Sequence, residues 1–136
     1  MTSAESSRPL PVATVPPAFT WASQVRQYPK IGPSGLSVFE GDMRPLGYTL
    51  PVLCLCWRDA RGLLRGVLNY YQETTEWEDA GNANVFVDPE WYGRGIGTVL
   101  LLDAVERFGL DLHRQRFTQQ GAAFMRRLIE KGVIEW

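Results

Sequence analysis

The stretch Asn82-Ala-Asn-Val-Phe-Val-Asp-Pro-Glu-Trp-Tyr-Gly-Arg-Gly-Ile-Gly-Thr-Val-Leu-Leu-Leu-Asp-Ala-Val-Glu-Arg-Phe108 decides the fold, because the hydrophobic period changes within it. Residues 82–87 (Asn-Ala-Asn-Val-Phe-Val), closed by Asp-Pro, are predicted to form a third strand in a central position of the sheet. Residues 98–108 carry apolar side chains at the spacing of an amphipathic helix, and Gly109 is placed to end it. Glycines in residues 93–97 join the two. We therefore expect a unit of strand, glycine turn and helix.

An antiparallel hairpin is expected upstream of this unit. Residues 51–57 and 63–71 are apolar runs separated by the polar turn 58–62. Residues 29–47 are rich in glycine and proline, which predicts loops with one short strand at Leu36–Phe39. The aromatic side chains of the runs alternate as in a sheet core and are assigned to packing: Trp57, Tyr70, Tyr71 and Phe86.

Downstream of Gly109, the sequence predicts a brief parallel strand at Leu110–Leu112 and a last helix with Thr118 as its N-cap. The apolar positions of this helix run to Ile129, and Gly132 stands where a C-terminal cap belongs. The expected fold class is α+β, with a mixed, mostly antiparallel sheet, flanking helices and one β-α-β crossover.

The domain organisation follows from length and local composition. The chain has 136 residues, the usual size of one domain. Residues 1–17 contain four prolines and no hydrophobic period, which predicts a flexible tail. A single domain is expected over residues 18–136, with a short helix at Ala18–Tyr28.

The charge balance argues against two classes of partner. Fourteen basic and fifteen acidic residues leave a formal net charge of -1, so neither nucleic acid nor a membrane surface would attract the chain over long range. No apolar run approaches the roughly 20 residues of a membrane span, and the start lacks a signal-peptide pattern. Cys54 and Cys56 are expected as buried, reduced thiols of a cytoplasmic protein, and no metal site is expected.

The glycine turn at residues 93–97 also predicts an anion-binding site. Unpaired N–H groups at a helix start converge on one point at the positive end of the helix dipole, where a phosphate or pyrophosphate binds. Gly95 and Gly97 would let a ligand approach the backbone closely. A Walker-type loop is excluded because no Gly-Lys-Ser/Thr follows. The expected anion-binding residues are Arg94, Gly95, Ile96, Gly97 and Thr98.

The wider string Val87–Leu101 resembles the acyl-CoA-binding motif of the Gcn5-related N-acetyltransferase (GNAT) superfamily. Gly95 and Gly97 match its two small positions, and Arg94 matches the common basic residue before them. Tyr92 occupies a place where glutamine or arginine is usual. The resemblance covers about residues 50–132, and the N-terminal third does not show the first elements of the family.

The resemblance implies a V-shaped cleft between the strand at 82–87 and the strand near 110–112. Acetyl-CoA would lie there as acyl donor, its pyrophosphate on residues 94–98 and its pantetheine arm along Val85, Phe86 and Val87. The implied activity is an N-acetyltransferase in which an amine, on a small molecule or a protein terminus, attacks the thioester directly. A homodimer is among the assemblies compatible with the sequence.

The candidate catalytic residues depart from the pattern of the GNAT superfamily. Asn84 stands where the family often has a carboxylate, and Phe124 where it often has a tyrosine. Residues 73–81 form an acidic loop, which then becomes the source of a general base, with Glu73 and Glu76 foremost. Tyr92 would supply a proton to the leaving thiolate.

Each of these candidate residues also has an interpretation without a catalytic role. The loop carboxylates, which include Glu78 and Asp79, would form a solvated face, and Tyr92 would pack beside Trp91. A catalytically silent module that keeps the fold for interaction or regulation is therefore the alternative to an enzyme.

Overall fold

The computed structural model describes residues 32–76, 78–115, 117 and 119–135 of the chain. Its strands and helices, in chain order, are β1 (Gly35–Gly41), β2 (Val52–Arg58), β3 (Leu64–Tyr70), β4 (Ala83–Val87), α1 (Ile96–Phe108) and α2 (Gln119–Glu130). Short 3-10 turns occupy Arg44–Leu46, Pro89–Trp91 and Leu112–Arg114. The α+β class is confirmed. The expected tail at 1–17, the helix at Ala18–Tyr28 and the N-cap Thr118 lie outside the described residues.

The four strands form one antiparallel sheet in the order β1-β2-β3-β4. Cys54 of β2 pairs with Asn69 of β3, and Leu68 of β3 pairs with Val85 of β4. The predicted hairpin and the strand that follows it are confirmed. β1 is longer than the predicted Leu36–Phe39, because its full length pairs with β2.

The prediction of a parallel strand at Leu110–Leu112 is wrong. The Leu110 side chain is buried in the core beneath the helices, and the Asp111 carboxylate accepts the backbone N–H of His113, which winds Leu112–Arg114 into a 3-10 turn. The described sheet is therefore wholly antiparallel rather than mixed, and it lacks the expected crossover. The prediction of a central strand at 82–87 is also wrong, because no described strand pairs with the outer side of β4, which forms an edge of the sheet.

The sheet separates two hydrophobic clusters. One face carries the cluster formed by Met43, Tyr48, Val52, Cys54, Cys56, Val67, Tyr71 and Phe86. Both thiols are buried and neither forms a disulfide, as predicted. Burial raises the pKa of Cys56 to about 11, so this thiol is protonated at neutral pH and is a poor nucleophile.

The opposite face is covered by the helices. Leu100 and Ala104 of α1 are fully buried against Leu55 and Leu68 of the sheet. Close approach of α1 depends on Gly66 of β3, where an added Cβ would lie 2.7 Å from Cγ2 of Ile96. The missing side chain at position 66 therefore sets the height of the α1 N-terminus above the sheet.

The second helix packs through Met125 and Leu128. It ends in the arrangement that a C-terminal glycine favours: Gly132 has φ +73°, and the Val133 N–H donates to Leu128 O over 2.9 Å. The predicted helix and its glycine cap are confirmed. None of the helices in the described ranges combines the length and the apolar character that a membrane crossing needs.

Candidate functional site

A cavity of about 650 Å³ lies between the outer edge of β4, the start of α1 and helix α2. This volume falls within the usual range of small-molecule sites. The lining is largely apolar, with contributions from Val85, Val87, Leu101, Leu110, Leu112, Phe124, Met125 and Leu128. The cavity is therefore the candidate ligand-binding site.

The edge of β4 supplies backbone groups to this cavity. Successive residues of an antiparallel strand direct their N–H and C=O groups to alternate sides. The Asp88 N–H donates to Arg65 O of β3, whereas the Ala83 N–H points the other way and donates to the Gln115 side chain over 3.0 Å. The N–H groups of Val85 and Val87, which share the parity of Ala83, therefore face the cavity side.

The start of α1 forms a second polar wall. Gly93 and Gly95 both have φ +79°, a backbone conformation that favours glycine, and the helix has no side-chain cap. The first N–H bonded within the helix is that of Val99, which donates to Gly95 O over 3.0 Å. The four N–H groups before it have no acceptor within the helix. They belong to Gly95, Ile96, Gly97 and Thr98, and all four residues line the cavity.

The β4 edge and the α1 start meet at Gly97. A Cβ added there would lie 3.6 Å from Cζ of Phe124 and 3.8 Å from Cγ2 of Val87, which is ordinary contact distance. Glycine at this position therefore leaves room next to the backbone where the helix start, β4 and α2 converge.

The charged side chains that line the cavity have one sign. Arg127 and Lys131 of the α2 end contribute cations, and the described lining residues include no Asp, Glu or His. The partial positive charge of the α1 start adds to them. The cavity therefore favours an anionic occupant. Within the described ranges, no group of three or more His, Cys, Asp and Glu side chains is arranged to hold a metal ion.

Most of the predicted binding residues line the cavity: Val85, Val87, Gly95, Ile96, Gly97 and Thr98. Two predicted residues do not. Phe86 is directed to the opposite face of the sheet, where it is buried in the same hydrophobic cluster as Val67. Arg94 is not part of the lining, and its guanidinium stacks over the Trp91 ring with 4.2 Å to the centroid.

Trp91 forms part of the cavity wall and is held from outside it. The Arg65 guanidinium lies 4.8 Å from the centroid of its ring. Arg65 also donates to Asp59 and to Asp88, each over 2.8 Å. The wall is therefore tied to β3 by a charged network rather than by apolar packing alone.

The predicted catalytic residues separate in the structure. Tyr92 lines the cavity and is 63% exposed. Glu73 lies outside the cavity lining and accepts the N–H groups of Leu50 and Thr49 over 2.6 and 2.7 Å. These bonds lower the pKa of the Glu73 carboxyl, so it is a weaker base than an ordinary glutamate. Glu76 is exposed and does not line the cavity.

Asn84, which stands where the resemblance to the GNAT superfamily implies a carboxylate, has a structural role. Asn84 accepts a hydrogen bond from Asn69 over 2.9 Å and donates to the Tyr71 hydroxyl over 3.3 Å. Phe124 contributes an aromatic ring to the cavity and no hydroxyl. Among the described residues, Tyr92 is therefore the one predicted acid or base that the fold brings to the cavity.

Sequence reasoning missed three polar residues of the cavity: Gln115, Arg127 and Lys131. Arg127 and Lys131 lie four residues apart, a spacing that places two side chains on one helical face. That signal was present, but only the packing of α2 shows that this face borders the β4 edge. Gln115 carries no local signal, because its partners Gly81 and Ala83 are more than 30 residues away.

Comparison with known proteins adds no family assignment. No protein-family model matches this chain, and no curated protein or solved structure is significantly similar to it. The resemblance to the GNAT superfamily therefore stays a prediction that rests on the motif around Gly95 and Gly97.

Proposed function

We propose that the protein is an acyl-CoA-dependent N-acyltransferase that uses acetyl-CoA as donor. The observation that carries the proposal is the meeting, in one cavity, of the open β4 edge with the uncapped start of α1. One supplies strand-like hydrogen-bond donors and the other a site for an anion. Coenzyme A needs both, since it joins a pyrophosphate to a linear arm with two amides.

Residues that line the cavity can bind the pyrophosphate and the pantetheine arm of the donor. The N–H groups at the start of α1 would receive the pyrophosphate, with Arg127 and Lys131 adding positive charge. The N–H groups of Val85 and Val87 would bind carbonyl oxygens of the pantetheine arm. In this proposal the cleft opens between β4 and α2, since residues 110–112 form no strand.

The transfer itself is a direct displacement. The nitrogen of a neutral amine attacks the thioester carbonyl carbon, the C–N bond forms and the C–S bond breaks. The amine proton passes to water, because no carboxylate lies among the described lining residues. The departing thiolate takes a proton from Tyr92 or from water. Holding the thioester and the amine together would then supply most of the rate enhancement.

A catalytically silent binding module is the second candidate. The observation in its favour is the pairing of Asn84 with Asn69 and Tyr71, which puts a neutral, hydrogen-bonded amide where a base is common in the family. The enzyme requires both binding of acyl-CoA and release of thiol, whereas a silent module releases no thiol. The two are therefore distinguished by assay rather than by geometry.

The binding test uses titration calorimetry with acetyl-CoA and with CoA. Thr98→Glu places a negative charge at the start of α1, where a carboxylate favours the helix but repels a phosphate. We expect it to weaken binding by at least about tenfold (1.4 kcal/mol) while the protein stays folded. Val99→Glu is the matched control, because Val99 is exposed on the same turn and does not line the cavity.

Two results would contradict the proposal. The first is no heat of binding at millimolar acetyl-CoA, and the second is equal affinity in the Thr98→Glu and Val99→Glu proteins. Release of free thiol from acetyl-CoA in the presence of a panel of primary amines then separates the enzyme from the silent module. Binding without thiol release for any amine would favour the module.

A further inference from the structure

We infer that Gln115 closes one end of the cavity and restricts the donor to short acyl chains. The inference rests on the proposed function and deepens it, since it concerns which acyl group the site accepts. It arises from the hydrogen bonds of Gln115 and from the direction in which the cavity follows β4.

Gln115 occupies the place of a neighbouring strand at one end of β4. Its Oε1 accepts the Ala83 N–H over 3.0 Å, and its Nε2 donates to Gly81 O over 2.9 Å and to Asp111 O over 3.0 Å. A side-chain amide thus satisfies the edge of β4 at its start. Further along, the edge groups of Val85 and Val87 face the cavity side instead.

The cavity consequently has two different ends. Val87 lies at the end next to Gly97 and the α1 start, where the anion is expected. Ala83 and Gln115 lie at the other end, four residues away along β4, a distance of about 14 Å in an extended strand. An arm that leaves its pyrophosphate at α1 and follows the edge brings its thioester toward Gln115.

Three bonds fix Gln115 in this place, and half-burial limits the water that could replace them. A long acyl chain would have to displace the side chain and leave the Ala83 N–H and the Gly81 carbonyl without their partner, which is costly for groups shielded from water. Leu110 and Leu112 add apolar side chains to the cavity lining, and Asn84, next to Ala83, adds a neutral amide. An uncharged, short aliphatic acyl group fits this chemistry.

The experiment compares affinities for CoA, acetyl-CoA, butanoyl-CoA and hexanoyl-CoA by calorimetry, using the full chain. In wild type, we expect affinity to stay level or fall as the acyl group lengthens. In Gln115→Ala, the shortened side chain admits about two further methylenes, each contributing about fourfold. The ratio of butanoyl-CoA affinity to acetyl-CoA affinity should therefore rise about 16-fold over wild type.

Gln72→Ala is the matched control, because Gln72 also donates from its amide to a backbone carbonyl, that of Pro51, and does not line the cavity. Its chain-length preference should equal that of wild type. CoA without an acyl group should bind all three proteins equally, which shows that the site is intact. If Gln115→Ala fails to fold by circular dichroism, Gln115→Ser replaces it.

Failure of the inference and failure of the proposed function give different results. If CoA binds all the proteins and the butanoyl-to-acetyl ratio is the same in each, Gln115 does not set the chain length and the inference is overturned. A wild type that binds longer acyl groups more tightly than acetyl overturns it equally. If neither CoA nor any thioester binds wild type, the proposed function falls and the inference with it.

Discussion

Arg65 donates from Nη1 to the Asp88 carboxylate over 2.8 Å, and the Asp88 N–H donates back to the Arg65 carbonyl over 2.7 Å. Two consecutive strands are thus joined at the point where β4 ends and the cavity wall begins. Asp88 also accepts the Glu90 N–H and so starts the turn that carries Trp91. The position of the wall therefore depends on a residue of β3 that does not itself touch the cavity.

Replacement of Arg65 should loosen this connection. Arg65→Gln removes the cation that partners the buried Asp59 carboxylate and the stacking on Trp91. We expect the Tm to fall by roughly 5–10 °C, as for loss of charge-assisted hydrogen bonds in a domain of this size. The Tm of Arg65→Lys should lie between those of wild type and Arg65→Gln, because an ammonium keeps the charge but not the planar, forked geometry of the guanidinium. Thermal unfolding followed by circular dichroism measures the effect.

The control is Arg107→Gln. Arg107 pairs with Asp103 on the exposed surface of α1, where an ion pair contributes little, so its Tm should change by less than about 2 °C. Equal losses in Arg65→Gln and Arg107→Gln would show that the network around Asp88 has no special structural role.

Gly66 should be intolerant of even a methyl group. In Gly66→Ala, the new Cβ would meet Ile96 Cγ2 at 2.7 Å and Leu100 Cδ1 at 3.2 Å, so α1 must lift from the sheet. We expect a loss of about 1–3 kcal/mol in the free energy of unfolding, the usual cost of overpacking. Urea denaturation provides the measurement.

A double-mutant cycle identifies the cause. Ile96→Ala removes the atom that the new methyl group meets. The double mutant should therefore lose less free energy of unfolding than the sum of the two single mutants, by at least about 0.5 kcal/mol. Strict additivity would mean that the effect of Gly66→Ala does not pass through Ile96.

Glu73 should make stability depend on acid pH. Hydrogen bonds from Leu50 and Thr49 lower the pKa of its carboxyl in the folded protein, whereas the unfolded value is about 4.3. The folded state therefore binds fewer protons than the unfolded state in this range. The contribution of Glu73 is fully present above the unfolded pKa and is lost as the pH falls through the folded pKa.

The corresponding measurement is urea unfolding of wild type and Glu73→Gln at several pH values between 2 and 7. The variant should be less stable than wild type at pH 7, and the difference should shrink as the pH falls below about 4. Glu76→Gln, on the exposed part of the same loop, should follow the wild-type curve. A constant difference between wild type and Glu73→Gln at all pH values would contradict this account of the carboxylate.

Local patterns were sufficient for most of the secondary structure. The hairpin, the strand at 83–87 and both helices arise from hydrophobic periods and from glycines at helix ends, which act within a few residues of themselves. The same holds for the helix-start residues Gly95 and Gly97, whose place at the cavity follows from the glycine turn. Short-range physics decides these features, so the sequence by itself determines them.

The tertiary structure decided which residues far apart in sequence are in contact. Leu110 belongs to a short stretch that is typical of a strand, but its side chain is buried in the core with the helices, and Asp111 starts a 3-10 turn. Glu73 has the charge of a base but is engaged by Thr49 and Leu50, more than 20 residues away in sequence. Gln115 became part of the site only because the chain returns to the β4 edge. A contact between residues far apart in sequence depends on the packing of whole elements, which no local pattern contains.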